Sequence, residues 1–461
     1  MLLATALTRV FEVQLPVGQL QRKHARERLP ATARLLAALS LALLSTACPA
    51  PATSAGHGAV DSGTRDGGSS DAGADGGSGA DAGVYFCDLP GELAGATVPD
   101  GFCVRRFAQV KTPRVLAFAP NGDLFVASPK AQTPGGASLG LGGVYVLSDD
   151  DHDGVADAPA QYVAGAAYET VHGLLVHGDT LTYTLDHGVY SVPYHAGDRA
   201  LAAGVTATQL ADLSPLPNER FTHTLAMDAA GQLYVSRGQY DNETCPPADP
   251  RVGGVLAIGP GHDVHGDVVV TGLRNPMYLS CAAWPSCTAS GCVKSACYAN
   301  ELTGDNWDTL GGSEKLIEVH AGDDFGYPCC ANRGVPAVAG ADCSRTSVQI
   351  TSFPLHATPF GLDWDLGNAF PAPYGGGLFI AFHGVVGSWV GTGIRWAPLD
   401  PATHHPSADF TNFLGGWGLG GPIRGRVADV RFAPDGRLFF ADDEGGAVYW
   451  IAPRTMKRVA N

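Results

Sequence analysis

The chain has 461 residues, 61 of them glycine and 32 proline, with a formal net charge of −16. That charge argues against nucleic acid or an anionic membrane surface as the main partner. The glycine and proline load, with little helical periodicity, points to an all-β architecture rich in turns.

Near the N-terminus Arg34 is followed by the apolar run Leu35–Leu44 and then Ser45-Thr-Ala-Cys48. A positive flank, a short apolar stretch and small residues before a cysteine read as an export signal, and the run is too short for a stable membrane span. The pattern resembles a bacterial lipoprotein signal in which Cys48 carries the lipid. Ser45 departs from the leucine usual at its position, so plain secretion stays open beside it. The expectation is an exported protein, at the periplasm or cell surface, meeting the membrane only through a lipid anchor. From Pro49 to about Gly83 the sequence is rich in Ala, Gly, Ser and Asp and has almost nothing to bury, as expected of a disordered acidic tether. The division is therefore 1–47 signal, 48–84 linker and 85–456 folded domain. Setting Cys48 aside leaves ten of the 11 cysteines, an even number suited to five disulfides in an oxidising compartment. Cys87 with Cys103 can close a short loop; the other pairings are open.

Past Tyr85 one pattern recurs: an apolar strand, a Gly-centred turn and a second alternating strand. It appears around Gly122, Gly178, Gly231 and Gly436. Such pairs supply the positive φ of a hairpin turn. The first three turns fall at the spacing of four-stranded propeller blades, and the remaining length suits about six of them. A β-sandwich with several similar hairpins is the alternative. The propeller is preferred because the hairpins return at both ends of the chain, as ring closure requires.

Between the first two hairpins lies Asp149-Asp-Asp151-His-Asp153-Gly154-Val-Ala-Asp157. Carboxylates at positions 1, 3, 5 and 9 with glycine at 6 match a Ca²⁺ loop, although Gln161 stands where a bidentate glutamate is usual. A structural calcium held by Asp149, Asp151, Asp153 and Asp157 is expected. Further along, Thr271-Gly-Leu-Arg274-Asn275-Pro276 places a guanidinium and a carboxamide just past a strand, where a polyanionic ligand would fit.

Stretches from Gly101 to Pro453 resemble the soluble quinoprotein glucose/sorbosone dehydrogenase family. They include Val171-His172-Gly173-Leu174, Phe221-Thr-His223-Thr-Leu-Ala, Gly272-Leu-Arg274-Asn275-Pro276, Glu301-Leu-Thr-Gly304-Asp305-Asn306, Phe379-Ile-Ala-Phe-His383-Gly384 and Gly425-Arg426-Val-Ala-Asp. The resemblance implies a six-bladed β-propeller with pyrroloquinoline quinone (PQQ) and Ca²⁺ at the mouth of its channel. It implies oxidation of a sugar hydroxyl, with electrons leaving to a quinone or other membrane acceptor. Carried over by position, Arg274, Asn275 and Arg426 hold the cofactor, and Gly304 and Asp305 lie on the loop that helps hold its calcium. Where the family most often has its catalytic histidine this chain has Arg220, which cannot act as a base near neutral pH. His172 and His223 are the candidate bases, with His172 first. The family's cofactor-binding lysine is unmatched in Phe382–Trp389, while His356 and His383 can line the channel or serve structure. Two alternatives stand beside the enzyme: a non-catalytic propeller that binds a carbohydrate or protein partner, and a calcium-dependent lactonase suggested by fold analogy alone.

Overall fold

The computed structural model describes residues 84–130, 140–164, 171–240, 244–284, 287, 292–384, 392–418 and 421–458. The export signal, Cys48 and all of the tether before residue 84 lie outside these residues. Among the described residues no helix is long and apolar enough to cross a membrane.

Six antiparallel sheets follow one another along the chain as the blades of a propeller. Blade one contains Val115–Phe118, Leu124–Ser128, Gly143–Leu147 and Ala160–Ala164; blade two contains Leu174–His177, Thr180–Leu185, Gly188–Pro193 and Thr208–Asp212. Blade three is built on Leu225–Met227, Leu233–Gln239, Gly254–Ile258 and Asp267–Thr271, and blade four on Asn275–Ala283, Ser295–Leu302, Glu314–Glu318 and Thr351–Phe353. Pro359–Trp364, Leu378–Phe382, Gly393–Ala397 and Thr411–Leu414 form blade five. Blade six takes Val427–Phe432, Leu438–Asp442 and Ala447–Pro453 from the C-terminal end and Phe102–Gln109 from the N-terminal end. The first strands pack side by side from blade one round to blade six and back to blade one. They line the axis, and the shared sixth blade closes the ring, so no sheet edge is left open at the seam.

The turns follow from the sequence. Gly122, Gly231 and Gly436 have φ of +95°, +86° and +91°, each in a loop whose glycine N–H donates to the carbonyl three residues back. Side chains with a Cβ rarely adopt that region, which is why glycine marks these hairpins. Blades four and five lack the marker. The first hairpin of blade four is long, with Cys281 joined to Cys297 across it, and that of blade five runs through Asp365, which accepts the N–H groups of Ala369 and Phe370.

Burial is apolar and heavily aromatic. Phe102 on the N-terminal strand meets Phe370, Tyr374 and Phe413 of blade five edge-on at centroid distances of 5.0 to 5.5 Å, fastening the seam. All ten cysteines of the domain are paired: Cys87–Cys103, Cys245–Cys329, Cys281–Cys297, Cys287–Cys292 and Cys330–Cys343. The five-disulfide expectation holds, including the one assigned pair.

Candidate active site at the channel mouth

In every blade the second strand returns antiparallel to the first, so its C-terminal end stands beside the residue that precedes the first strand. In four blades a polar side chain there captures the backbone N–H of that residue or its neighbour. Thr184 Oγ1 accepts from Gly173 N at 2.7 Å, Ser236 Oγ from Thr224 N at 3.0 Å, and Asp442 Oδ1 from Arg426 N at 2.8 Å. Glu301 accepts from both Arg274 N (2.7 Å) and Asn275 N (3.1 Å). These clamps fix the chain where it enters the channel, and they present His172, His223, Arg274 and Arg426 at one end of the ring, where Arg114 N donates to Ala127 O in blade one. Gly425 makes one approach possible, since a Cβ there would collide with the Asp442 carboxylate.

The central array is charged and buried. Arg114 Nη2 lies 3.1 Å from Asp443 Oδ2, and His383 Nε2 lies 3.0 Å from the same oxygen. The His383 ring stacks on Phe360 at 4.2 Å and 7°. Arg426 Nε donates to His383 O at 3.2 Å and its Nη2 donates to Gly384 O. Lys111, Arg114, His383, Arg426 and Asp443 border one cavity of about 360 Å³. Burial alone would push Asp443 upward, but Arg114, His383 and Arg426 outweigh it and hold the carboxyl below its ordinary value. Burial pushes His383 down to about 4 despite Asp443, and burial with Arg114 nearby pushes His172 well below the usual imidazole range. Both imidazoles are therefore neutral at pH 7.

Several atoms in this region are buried without a hydrogen-bond partner among the described residues: both ring nitrogens of His172, Nδ1 of His383 and Nε of Arg114. His172 is 4 % exposed, with its ring 5.9 Å from that of Tyr278, whose hydroxyl donates to Arg114 O. Orphaned buried polar atoms are costly in a finished core and ordinary in a site that awaits a ligand.

The other sequence candidates divide. His223 is enclosed: Nε2 lies 2.9 Å from Glu219 Oε1 and Nδ1 lies 3.4 Å from Leu185 O. Arg237 Nε and Nη2 grip the same glutamate, each at 2.6 Å, so His223 belongs to a structural ion-pair cluster under the mouth. Arg274 Nη2 meets Asp305 Oδ2 at 2.8 Å, and Gly304 sits against the Trp307 ring. Asn275 Oδ1 accepts from Thr222 Oγ1 at 2.6 Å, a contact that joins blade three to blade four. Arg220, at the family's base position, lies 4.6 Å over the Tyr240 ring. His356 has φ of +67° and donates its backbone N–H to Glu314 at 3.1 Å.

The Asp149–Asp157 loop stands elsewhere. It joins the third and fourth strands of blade one, at the opposite end from the mouth. Carboxylate oxygens of Asp149, Asp151 and Asp153 lie within 4.8 Å of one another. Asp149 Oδ2 accepts from Gly154 N at 3.1 Å, and its Oδ1 is buried without a partner among the described residues. Asp157 is turned to Ser148 Oγ and Asp150 N, and Gln161 to Gly142 O. The loop also docks on blade six, with Trp450 Nε1 donating to Gly154 O (2.8 Å) and Ala156 N to Phe107 O (2.8 Å).

Sequence reasoning missed Lys111, Arg114, Asp443, Glu301 and Glu314. Arg114 and Asp443 had a signal available: each immediately adjoins a strand of a recognised Gly-turn hairpin, at the end away from the turn. Lys111, on the link from Phe102–Gln109 to blade one, is one of the residues lining the mouth, whereas the Phe382–Trp389 segment has no lysine.

No family profile matches the chain. An uncharacterized protein of Borreliella burgdorferi is 34% identical over 109 residues, and this alignment spans 22% of the chain and 28% of that protein's length. Solved structures match over far more. A Trichoderma reesei carbohydrate-active enzyme of family AA12 superposes with a TM-score of 0.60 at 18% identity, over 79% of this chain and 99% of that one. The PQQ domain of a Coprinopsis cinerea pyranose dehydrogenase gives 0.59 at 15% identity, over 80% and 98%. The soluble aldose sugar dehydrogenase of Escherichia coli gives 0.52 at 15% identity, over 76% and 99%. The chain has the fold of the soluble sugar dehydrogenases. At these identities the likeness establishes architecture, and the chemistry rests on the mouth itself.

Proposed function

We propose that the mouth is the active site of a PQQ-dependent dehydrogenase that oxidises a hydroxyl of an aldose or related sugar. The supporting observation is the array of Lys111, Arg114, His383, Arg426 and Asp443 around a single cavity, with unpartnered buried nitrogens behind it. Lys111, Arg114 and Arg426 outnumber the carboxylates Asp443 and Glu444 in this lining, an excess of positive charge that suits a planar ligand carrying carboxylates. Lys111, Arg114 and Arg426 would hold it from blades one and six, with Arg274 and Asn275 across the mouth and Gly304 and Asp305 beside its calcium. Such a group would supply a hydride acceptor for the sugar carbon, with an external acceptor such as a membrane quinone taking the electrons.

The protein's own part is proton removal and orientation. His383 is neutral, borders the cavity, and is held by the Asp443 carboxylate, which would stabilise the imidazolium formed when the ring takes a hydroxyl proton. His172, the first choice from sequence, is also neutral, but among the described residues no carboxylate bonds either ring nitrogen, and it is not one of the residues lining the cavity. Stacking on Phe360 fixes the His383 plane.

Single substitutions separate the two histidines. His383→Gln is expected to lower kcat by about 10²–10⁴-fold with cofactor affinity retained. His172→Gln should change it by less than about tenfold. The reverse ranking would return the base to His172, and full activity in both variants would remove general-base catalysis from the mouth. The Asp149 loop enters this reading as a separate structural calcium site.

A further inference from the structure

A cavity of about 590 Å³ lies at the face opposite the mouth, where blades one, two and six meet. Its position follows from the topology: the turns that join first to second strands, Pro120–Gly122 and Pro434–Asp435, form part of its wall, and such turns all stand at the end away from the mouth. The floor is aromatic. Phe107 and Phe118 each meet Phe439 edge-on at 5.0 Å, and Phe86 adds a further ring.

Arg437 is built into this wall. Its guanidinium lies 4.3 Å from the Phe86 ring centre, 4.9 Å from Phe439 and 5.3 Å from Trp450, and its Nε donates to Asp435 at 2.8 Å. The residue is 7% exposed, and its Nη1 is buried without a partner among the described residues. A guanidinium nitrogen in that state calls for an acceptor that the protein does not provide. The facing wall is equally fixed: Asp123 Oδ2 takes Tyr194 Oη at 2.6 Å and Arg199 Nη1 at 2.9 Å.

The charges decide the ligand class. With no ion on the Asp149 loop, Arg199, Arg437, Lys457 and Arg458 stand against Asp123, Asp149, Asp150 and Asp435, four cations against four carboxylates, so the calcium-free lining has no formal net charge. An anion or a cation would meet its own sign as often as its opposite. A neutral ligand with an apolar face for the phenyl rings and hydroxyl or ether oxygens for the free N–H meets no such conflict, and the volume lies within the range of small-molecule sites. We propose that this cavity is a second binding site, for a neutral pyranose, remote from the mouth and independent of any chemistry there.

Saturation-transfer NMR on the full chain in calcium-free buffer, with methyl β-D-glucopyranoside as the probe, tests this. Blocking the mouth with Arg426→Glu should leave the sugar signals in place. Adding Ala196→Trp, a change at an exposed residue on the cavity rim, should reduce them at least about fivefold, and Arg437→Lys should weaken the Kd about tenfold through loss of one charge-assisted hydrogen bond. Thermal melts of both variants check that they fold. Loss of all signal in Arg426→Glu alone, or full signal after Ala196→Trp, overturns the proposal. Tighter binding of the corresponding methyl glucuronide would overturn the neutral-ligand assignment.

Discussion

At the scale of single residues, burial sets the chemistry more than charge type does. Glu301 and Glu314 both accept backbone N–H groups that shape the mouth, yet burial pushes them up to about 7 and about 8. Carboxyls whose folded pKa exceeds the unfolded value bind protons more tightly in the native state. Their contribution is complete below the unfolded value near 4.5 and is lost as pH rises through 7 and 8. His172 and His383 act in the opposite sense, since their folded values are depressed: their contribution is present above pH 6.5 and is lost as pH falls toward 4. The two effects offset one another between about pH 4.5 and 6.5, so thermal stability should be broadly level there and decline on both sides. Glu314→Gln should flatten the alkaline side, which a series of melts from pH 5 to 9 would read. An alkaline limb unchanged in that variant would assign the loss to other groups.

At the scale of elements, the Asp149–Asp157 loop carries the clearest expectation. It is pinned to Trp450 and Phe107 of blade six, so an ion held there would fasten the seam at which the ring closes. Saturating Ca²⁺ should raise Tm by several degrees, as expected for a ligand that binds only the folded state. Asp151→Asn should remove most of that rise while leaving cofactor binding at the mouth unchanged. No Tm response to Ca²⁺ in the parent protein would reduce the loop to a solvated acidic turn. The hairpins were the elements most legible in the sequence. Gly122, Gly178, Gly231 and Gly436 all occupy positive φ, and each marks the first turn of a blade. Blades four and five were not legible as repeats, because a disulfide-bridged hairpin and an aspartate-bonded loop replace the glycine signal.

At the scale of the molecule, ring closure explains what could and could not be read. The number of blades and the return of the pattern at both termini follow from local periodicity, whereas the array at the mouth does not. Arg114 and Asp443 are more than three hundred residues apart in the chain and meet only because Phe102–Gln109 completes blade six and brings blade one against it. His383 entered the sequence reading as an undecided histidine; its meaning came from Asp443, a residue with no motif of its own. His223 illustrates the converse. It lies in a family-like segment, but Glu219 and Arg237 take it into a buried ion-pair cluster that only the fold reveals. The central claim concerns the mouth, and one measurement addresses it directly: titration of the purified protein with PQQ in the presence of Ca²⁺, followed by absorbance, and then addition of aldoses with an artificial electron acceptor. The account predicts stoichiometric binding that is weakened in Arg426→Glu, and sugar-dependent bleaching of the bound cofactor. Failure of the folded protein to bind the cofactor at all would contradict it.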